Sequence, residues 1–360
     1  MDFRLLKKLT ETPGISGREE RVRDLVAEEL SGLSDEDVAV DAMGNLIAHV
    51  PGSGPRVALA AHMDEVGFMV SKIEPEGFIR VVPAGGVDAK VFWAQKVVVH
   101  GRQDLPGVVG SVPPHLSGAE GPEAEKAVTI EACFIDTGLP VDEVSKLIAI
   151  GDPVTFATQS WETGDVFFGK ALDDRVGLFV MLESVRRAAH IDCDLFLIAS
   201  TQEEYGLRGI GPAVYAVKPA IALALEGTVA SDTPGLTLPA NMAPTALGKG
   251  PEIRLTDRRM ISNRSLADFL DLVAREAGIP HQMIVKKVGA TDAAVGQVTG
   301  AGVRVGAVAV PTRYLHAPIG LVSKTDVEHA IALITNFIER ASQFRSNWAA
   351  SSPFRFQREV

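Results

Sequence analysis

The sequence predicts an α/β fold, in which a mixed sheet is flanked by helices and a small β-barrel-like domain is inserted. Nearly continuous apolar runs alternate with helical patterns early in the chain and again after residue 164, as expected for strands buried on both faces. Between these parts, many short β-rich runs are separated by glycine and proline turns, which favours a small barrel or sandwich. Because the β-rich part lies between two strands of the α/β part, we interpret it as an insertion.

The length of the chain also favours more than one domain. At 360 residues it can bury a large core and exceeds the usual size of one domain. We predict an α/β domain formed by residues 1–66 and 165–345, with residues 67–164 as the inserted β domain. Residues 346–360 are expected to form an irregular tail with aromatic residues. Two interpretations of this tail are equally compatible with the sequence: it docks on a neighbouring subunit, or it is disordered.

The α/β part begins with a predicted helix. Ser16 and Glu19 fit a capping box, and apolar residues recur at helical spacing from Val22 to Leu30. Buried strands are predicted at 57–61, 194–200, 221–225 and 303–310. Further helices are predicted near 175–189, 265–277 and 325–344.

The inserted part is predicted to consist of short strands. These strands are expected at 68–70, 78–82, 97–99, 108–109, 128–130 and 154–156. Val91, Phe92 and Trp93 form an apolar cluster that is compatible with a subunit interface and equally with an ordinary β core.

Composition excludes several classes of function. The net charge of −11 argues against a nucleic-acid-binding surface, which needs clustered lysine and arginine. Only two cysteines occur, Cys133 and Cys193, so neither a disulfide framework nor a thiolate metal site is predicted. No signal peptide is visible, and no apolar run approaches the roughly 20 residues of a membrane span. We therefore expect a soluble, cytoplasmic protein without nucleic-acid or membrane partners.

Potential metal ligands follow five of the apolar runs. In an open α/β sheet, ligands bind outside the carboxyl ends of the strands, so side chains at these positions are expected to meet. In chain order they are His62 and Asp64, Asp173 and Asp174, Glu203 and Glu204, Glu226, and His316. Each has an ordinary explanation when taken alone, such as a helix cap for the aspartate pair and solvation for the glutamate pair. Their joint occurrence favours a metal site.

The combination of side chains indicates the chemistry. Two histidines and several carboxylates suit Zn²⁺, Co²⁺ or Mn²⁺. His62 and Asp64 share one face of an extended segment, so Asp64 can accept the second N–H of the imidazole. Hydrolysis needs a general base that is not consumed as a ligand, and the adjacent Glu203 and Glu204 can divide these two roles.

Several segments, in the same order along the chain, match one known family. They are PGISG at 13–17, AHMDEVG at 61–67, KALDDR at 170–175, TQEE at 201–204, DTPG at 232–235, TDA at 291–293 and PTRYLH at 311–316. In these segments the sequence resembles the M42 metalloaminopeptidases, which include the tetrahedral TET aminopeptidases and the glutamyl aminopeptidases.

The resemblance implies a role for each matching residue. Asp173 would bridge two divalent metal ions per protomer, and Glu203 would be the general base. The remaining metal ligands would be His62 and Glu226 at one site and Glu204 and His316 at the other. Asp64 would orient His62, and a strained or cis peptide would precede Asp174. Many members carry Asp where this chain has Glu226. The resemblance therefore leaves open the metal affinity of the site that includes Glu226.

The implied activity is removal of amino-terminal residues from short peptides. A di-metal deacylase or amidase acting on N-acyl amino acids, and a non-catalytic assembly protein that keeps the fold, are the alternatives. The resemblance also implies that the inserted domain mediates dimerisation and that dimers form tetrahedral dodecamers. Asp292 is expected either in the substrate pocket or in a structural turn. The glycine-rich segment 206–211 is expected to form a tight turn that begins a helix.

Overall fold

The fold consists of a mixed β-sheet with helices on both faces and a closed β-barrel beside it. A computed structural model describes residues 2–32, 38–112 and 128–345. Its α-helices are α1 (Arg4–Glu11), α2 (Glu20–Glu29), α3 (Val141–Leu147), α4 (Leu172–Arg187), α5 (Ile210–Val217), α6 (Arg264–Glu276), α7 (Ala293–Val298) and α8 (Lys324–Ile338). The predicted fold class is confirmed.

The strands divide into those of the sheet and those of the barrel. The sheet contains β1 (Val38–Val40), β2 (Leu46–Val50), β3 (Arg56–His62), β10 (Trp161–Thr163), β11 (Val166–Gly169), β12 (Asp194–Ser200), β13 (Ile221–Val229), β14 (Glu252–Thr256), β15 (Gln282–Val285), β16 (Arg304–Arg313) and β17 (Gly320–Ser323). The barrel contains β4 (Gly67–Ile73), β5 (Ile79–Ala84), β6 (Lys96–His100), β7 (Asp104–Gly110), β8 (Phe134–Asp136) and β9 (Pro153–Phe156).

Four parallel strands form the centre of the sheet. Among the described residues the strand order is β1-β2-β12-β3-β13-β16-β17-β11-β10, and β14 joins through β16 and carries β15. Strands β12, β3, β13 and β16 run parallel to one another. Their carboxyl ends therefore open at the same edge of the sheet, where α/β folds bind their ligands.

Alternating side chains of the central strands pack into two different cores. Along β3, Val57, Leu59 and Ala61 contact the larger core, which is formed with α1, α2, α4, α6 and α8. The intervening Ala58 and Ala60 face the smaller core, which is formed with α5 and α7. This period of two explains the continuous apolar run, since both faces of the strand are buried.

The barrel closes through the pairing of β4 with β9, in the order β4-β5-β8-β7-β6-β9. Its interior includes Phe68 and Phe92, whose ring centroids lie 4.0 Å apart. The predicted apolar cluster is thus divided: Phe92 belongs to the β core, whereas Trp93 is 44% exposed.

Two local predictions were wrong. Ser16 and Glu19 form no capping box; helix α2 begins after them without a side-chain cap, because both side chains bind elsewhere. The strand predicted at 128–130 is absent from the described residues, where Ile130–Ala132 forms a 3₁₀ turn instead.

Other boundaries differ modestly from the predictions. Helix α8 ends at Ile338 and is followed by a 3₁₀ turn at Ala341–Gln343, and α1 was not predicted. The predicted tail at 346–360 lies outside the described residues. Among the helices described for this chain, none combines the length and apolar character that crossing a membrane requires.

Candidate metal centre and adjoining cavity

His62, the last residue of β3, lies at the carboxyl edge of the sheet and is almost completely buried. Its Nδ1 atom lies 3.0 Å from the main-chain carbonyl oxygen of Asp64. A ring that donates from Nδ1 to a carbonyl leaves the lone pair of Nε2 free for a cation. Nε2 faces three carboxylates: Asp173 Oδ1 at 3.3 Å, Glu203 Oε2 at 3.9 Å and Glu226 Oε2 at 3.9 Å.

His316 approaches one of these carboxylates, Asp173, and a fourth one, Glu204. Its Nε2 atom lies 3.0 Å from Glu204 Oε1 and 3.5 Å from Asp173 Oδ2. Its Nδ1 atom lies 3.0 Å from the carbonyl oxygen of Gly86, a residue that follows strand β5 of the barrel. Both rings are therefore held through Nδ1 and present Nε2 to the centre.

Asp173 lies between the two imidazoles and directs a different oxygen toward each. It is the second residue of α4, and the peptide bond that joins it to Asp174 is cis. Asp174 plays a different part, since its carboxylate accepts hydrogen bonds from the main-chain N–H groups of His62 and Gly177, at 3.1 and 2.9 Å. Asp174 thus anchors β3 to the start of the regular helix.

Asp64 connects the histidine to the glutamate pair. Its Oδ1 accepts the main-chain N–H of Glu203, and its Oδ2 accepts that of Glu204, both at 3.0 Å. Oδ2 also accepts the hydroxyl of Ser16 at 2.5 Å. The carboxylate lies 3.4 Å from His62 Nδ1, so the main-chain carbonyl of Asp64 makes the closer contact with the ring.

The N-terminal segment supports the glutamate pair in the same way. The buried carboxylate of Glu19 accepts the main-chain N–H groups of Gly17 and Gln202, at 2.8 and 3.0 Å. The main-chain carbonyl of Glu203 accepts the N–H groups of Gly206 and Leu207, which confirms the tight turn predicted before α5. These contacts explain why Ser16 and Glu19 do not cap α2. Ser16 donates its hydroxyl to the Asp64 carboxylate, and the Glu19 carboxylate accepts the main-chain N–H group of Gln202.

The electrostatics of the cluster favour a bound cation. Burial raises the pKa of Glu203 and of Glu226 well above the ordinary value, and neighbouring carboxylates add to both shifts. Although burial opposes it, contact with Asp173 and Glu204 raises the pKa of His316 to about 11. Buried carboxylates without a compensating charge are costly, so this cluster requires positive charge.

The donor set also fits a metal ion. His62, Asp173 and Glu204 offer atoms within 4.8 Å of one another, as do His62, Asp174 and Glu226. The Oε1 atom of Glu204 is buried without a hydrogen bond of good geometry in the described residues. Imidazole nitrogen with carboxylate oxygen is the ligand combination used by Zn²⁺ and similar divalent ions. We favour Asp173 over Asp174 as a ligand, because both Asp174 oxygens accept main-chain hydrogen bonds.

A cavity of about 640 Å³ opens beside this cluster. Its wall includes the four carboxylates Asp173, Glu203, Glu204 and Glu226, together with His316. The rest of the wall is mainly apolar, and it also carries three cationic residues, Arg254, Arg259 and Lys286. Asp292 is not part of this wall. It is buried and accepts the hydroxyl of Ser200, and burial raises its pKa to about 6.

A second buried charged cluster, which was not predicted, adjoins the first in the segments 61–67 and 170–175. Lys170 Nζ lies 2.6 Å from both oxygens of Glu65, and Arg175 Nη2 lies 3.7 Å from one of them. Arg175 also donates to four main-chain carbonyls, those of Leu9, Thr12, Gly14 and Met63. The sequence did contain an indication of this cluster. Glu65, Lys170 and Arg175 are charged residues in otherwise buried motifs, and they adjoin the predicted ligands.

Comparison with known proteins identifies the family of the chain. The family model for M42 glutamyl aminopeptidases matches residues 44–333. A lysyl aminopeptidase from Pyrococcus furiosus is 35% identical over 347 residues, covering 94% of this chain and 97% of that protein.

Solved structures give the same result. An aminopeptidase from the archaeon Desulfurococcus kamchatkensis superimposes with a TM-score of 0.90 at 36% identity, covering 97% of this chain and 98% of that one. The TET1 peptidase of Pyrococcus horikoshii, described as assembling into a tetrahedron or a large octahedral shell, has a TM-score of 0.83 at 30% identity, with 93% and 98% covered. These matches confirm the predicted resemblance, and the chain belongs to the M42 family of aminopeptidases.

Proposed function

We propose that this protein is a metal-dependent aminopeptidase that removes amino-terminal residues from short peptides. The family supplies the class of reaction. The observation that carries the metal dependence is the position of Asp173, whose two oxygens each lie within 3.5 Å of a different imidazole Nε2 atom.

We propose that each protomer holds two divalent cations, Zn²⁺, Co²⁺ or Mn²⁺, with Asp173 between them. His62 and Glu226 would hold one cation, and Glu204 and His316 the other. When bound, such cations polarise a scissile carbonyl and increase the acidity of water. The contacts of both imidazole Nδ1 atoms with main-chain carbonyls support this assignment, because they fix the rings with Nε2 inward.

Glu203 is proposed as the general base. Its carboxylate lines the cavity and lies 3.9 Å from His62 Nε2. It would accept a proton from the attacking water and return it to the leaving amine. The Asp64 carboxylate accepts the main-chain N–H groups of Glu203 and Glu204. Asp64 would thereby fix the positions of both glutamates.

Replacing each glutamate of the pair separately tests this division of roles. Glu203→Gln is expected to reduce kcat by about 10²–10⁴-fold, the usual contribution of a general base, while metal content stays near that of the wild type. Glu204→Gln is the matched control and is expected to lower metal content. Wild-type activity in Glu203→Gln would refute the assignment of the base.

A second experiment tests which end of the substrate is recognised. Metal-stripped protein would be assayed with and without Co²⁺ or Zn²⁺ on aminoacyl-p-nitroanilides and on their N-acetylated counterparts. We expect metal-dependent cleavage of the free amines alone. Cleavage of the acetylated set would indicate a deacylase, and silence on both sets with metal bound would favour a non-catalytic protein.

We also propose that the chain self-associates, as the assembly described for the TET1 relative suggests, and that the barrel forms the contact between protomers. The barrel region carries exposed apolar side chains, namely Val82, Trp93, Val108 and Ile150. Light scattering of the wild type is expected to give the mass of at least a dimer. The double variant Trp93→Glu with Ile150→Glu is expected to have a lower mass, and an unchanged mass would argue for another interface. The domain limits of 67–164 for the insertion and 1–66 with 165–345 for the catalytic part, and the cytoplasmic location, remain proposals.

A further inference from the structure

An ion pair joins two of the segments that resemble the M42 family, DTPG at 232–235 and PTRYLH at 311–316. Arg313 Nε donates to Asp232 Oδ1 at 2.9 Å, and Arg313 Nη2 donates to Asp232 Oδ2 at 2.7 Å. Two parallel hydrogen bonds fix the relative orientation of the two groups as well as their distance. The Arg313 guanidinium also holds the pKa of Asp232 below its ordinary value, so the carboxylate is ionised. Neither residue lines the cavity, so the pair acts through the groups that it connects.

The ion pair lies at the carboxyl edge of the sheet. Strand β13, which carries Glu226, runs parallel to β16. Beyond the end of β13, the main-chain N–H of Ala230 donates to the carbonyl oxygen of Thr312 at 2.9 Å. Asp232 follows two residues after Ala230, and Arg313 is the last residue of β16. The pair therefore joins the ends of two neighbouring strands, at the edge where the proposed ligands lie.

His316 lies in a short and strained connection between β16 and β17, formed by residues 314–319. Tyr314 and His316 have φ angles of 63° and 59°. This left-handed region is unfavourable for residues other than glycine, because the β carbon approaches the following carbonyl oxygen. Such conformations persist only where the surrounding structure holds them. The contacts of the connection therefore determine where the imidazole lies.

The connection is held at its end, in its middle and at its start. At its end, the carbonyl oxygen of Pro318 accepts the hydroxyl of Thr158 at 2.7 Å. In its middle, the imidazole of His316 contacts a main-chain carbonyl beyond strand β5 at 3.0 Å. At its start, β17 pairs with β16 through two residues of each strand, of which Arg313 is the last in β16. By binding Arg313, Asp232 therefore reinforces the end of a short ladder, just where the strained residues begin.

The Asp232 carboxylate also closes a loop that lines the cavity. Its Oδ2 atom accepts the main-chain N–H of Leu247 at 3.1 Å. Next to it, the main-chain N–H of Ser231 donates to the carbonyl oxygen of Thr245 at 2.7 Å. The loop between these contacts, residues 233–244, contains no charged residue and contributes four residues to the cavity wall, Leu236, Leu238, Met242 and Ala243. One carboxylate thus contacts both this loop and the start of the strained connection.

We propose that Asp232 and Arg313 are positioning residues for His316, and that their ion pair maintains the affinity for the cation that His316 and Glu204 would hold. The inference rests on the proposed metal centre. By fixing Arg313, Asp232 sets the direction in which the chain enters the strained connection, and so the position of the imidazole beside Glu204. Without the pair the connection can relax, and the imidazole spends part of the time away from this position. A histidine that must be ordered again when the cation binds gives a lower affinity.

Metal binding tests this inference directly. Metal-free protein would be titrated with Zn²⁺ in competition with a chelator of known affinity, which gives the number of ions bound and the affinity for each. Arg313→Gln is expected to bind one of the two ions about tenfold more weakly, the loss typical of removing a group that supports a metal-ligating histidine. Two ions bound with wild-type affinity would overturn the inference.

Arg21→Gln is the matched control. Arg21 Nη1 and Nη2 donate to the two carboxylate oxygens of Asp104 at 2.9 and 2.8 Å, and this pair joins α2 to strand β7 of the barrel. Each variant thus removes the cation of a two-bond pair between distant segments. Arg21→Gln is expected to keep the wild-type affinity for both ions. Equal losses in Arg21→Gln and Arg313→Gln would overturn the inference, because they would indicate a general effect on the fold.

Two further variants separate the ion pair from the closure of the loop. Arg313→Gln removes the pair but leaves the contact between Asp232 and Leu247, whereas Asp232→Asn weakens both. We expect a similar loss of metal affinity in these two variants. A loss confined to Asp232→Asn would assign the effect to the loop and overturn the inference. Arg313→Lys keeps a cation without the planar pair of donors, so its affinity is expected to lie between those of Arg313→Gln and the wild type.

Excess metal distinguishes a positioning role from a loss of structure. Because the ligands remain, kcat/KM of Arg313→Gln on aminoacyl-p-nitroanilides is expected to return to about the wild-type value at saturating metal. The urea midpoint of the metal-free variant should stay near that of the wild type, since a half-exposed ion pair contributes little to stability. A lowered midpoint, together with activity that excess metal does not restore, would overturn the inference in favour of a structural role.

This inference and the proposed activity fail in different ways. If metal affinity falls in Arg313→Gln as expected but the wild type cleaves no peptide, the aminopeptidase assignment is refuted and the inference stands. If the wild type binds no divalent cation, the proposed metal centre is refuted and the inference with it.

Discussion

Two buried charged clusters, which share the segments 61–67 and 170–175, differ in how their charge is balanced. In the cluster that adjoins the metal centre, Glu65 contacts Lys170 at 2.6 Å and lies near Arg175, so the protein supplies its own cations. In the metal centre, several carboxylates surround His62 and His316 and no lysine or arginine of the described residues contacts them. The charge of the first cluster is therefore compensated within the protein. The second cluster lacks such a partner, which supports the proposal that it binds a cation.

Removing one acid from each cluster should therefore have opposite effects on stability. Glu226→Gln is expected to reduce kcat/KM by about a thousandfold, because loss of metal chemistry costs several kcal/mol of transition-state stabilisation. The metal-free variant should be more stable than the metal-free wild type by about 1 kcal/mol at pH 8, since a carboxylate with a raised pKa is removed. Kinetics, metal analysis and urea unfolding measure these effects. A less stable metal-free variant would contradict the comparison.

Glu65→Gln is expected to destabilise the protein by about 3–5 kcal/mol, because it leaves Lys170 buried without its partner. Urea unfolding of the metal-free protein measures this loss. The double variant Glu65→Gln with Lys170→Met should recover part of it, since the unpaired cation is also removed. A loss below about 1 kcal/mol would mean that the pair contributes no more than a surface ion pair.

Glu19 is an intermediate case, because two main-chain N–H groups bind its carboxylate but no cation does. Burial and the charge of Asp64 raise its pKa from 4.5 to about 7. Between these values the folded protein keeps a proton that the unfolded chain releases, so the free energy of unfolding falls as pH rises through this window. Glu19→Gln should reduce this pH-dependent loss in the free energy of unfolding by up to about 3 kcal/mol.

Unfolding of the metal-free protein at pH 4.5, 5.5 and 7 tests this prediction. The neighbouring Glu20→Gln is the control, because Glu20 is exposed and begins the same helix. If both variants keep the wild-type pH dependence, the proton is not held by Glu19.

The sequence was sufficient for the fold class because the alternation of buried strands and helices is a local pattern. The same pattern predicts that residues at the ends of parallel strands meet, and the structure does bring His62, Asp173, Glu204, Glu226 and His316 together. Local patterns failed where a distant group offered a better partner. Ser16 and Glu19 satisfied the spacing of a capping box, but Asp64 and Gln202, which are remote in sequence, bind them instead.

The cavity illustrates the same limit. Arg254, Arg259 and Lys286 are unremarkable in sequence, and each alone would be interpreted as a surface cation. Their common location depends on β14 and β15 pairing beside β16, which the periodicity of the chain does not specify. The contacts of Arg254 and Lys286 with Thr228 and Glu252 therefore emerge only in three dimensions.

The hydrogen bond between His316 and Gly86 connects the inserted barrel to the proposed catalytic centre. A β carbon added at Gly86 would lie 3.4 Å from the imidazole, and one at Gly85 would lie 3.3 Å from the side chain of Glu204, so the barrel's connection borders two proposed ligands. The insertion is consequently not a detachable module. A shortened chain that kept the whole sheet but lacked the barrel would still contain every proposed ligand, and yet would lose the acceptor that sets the orientation of one of them.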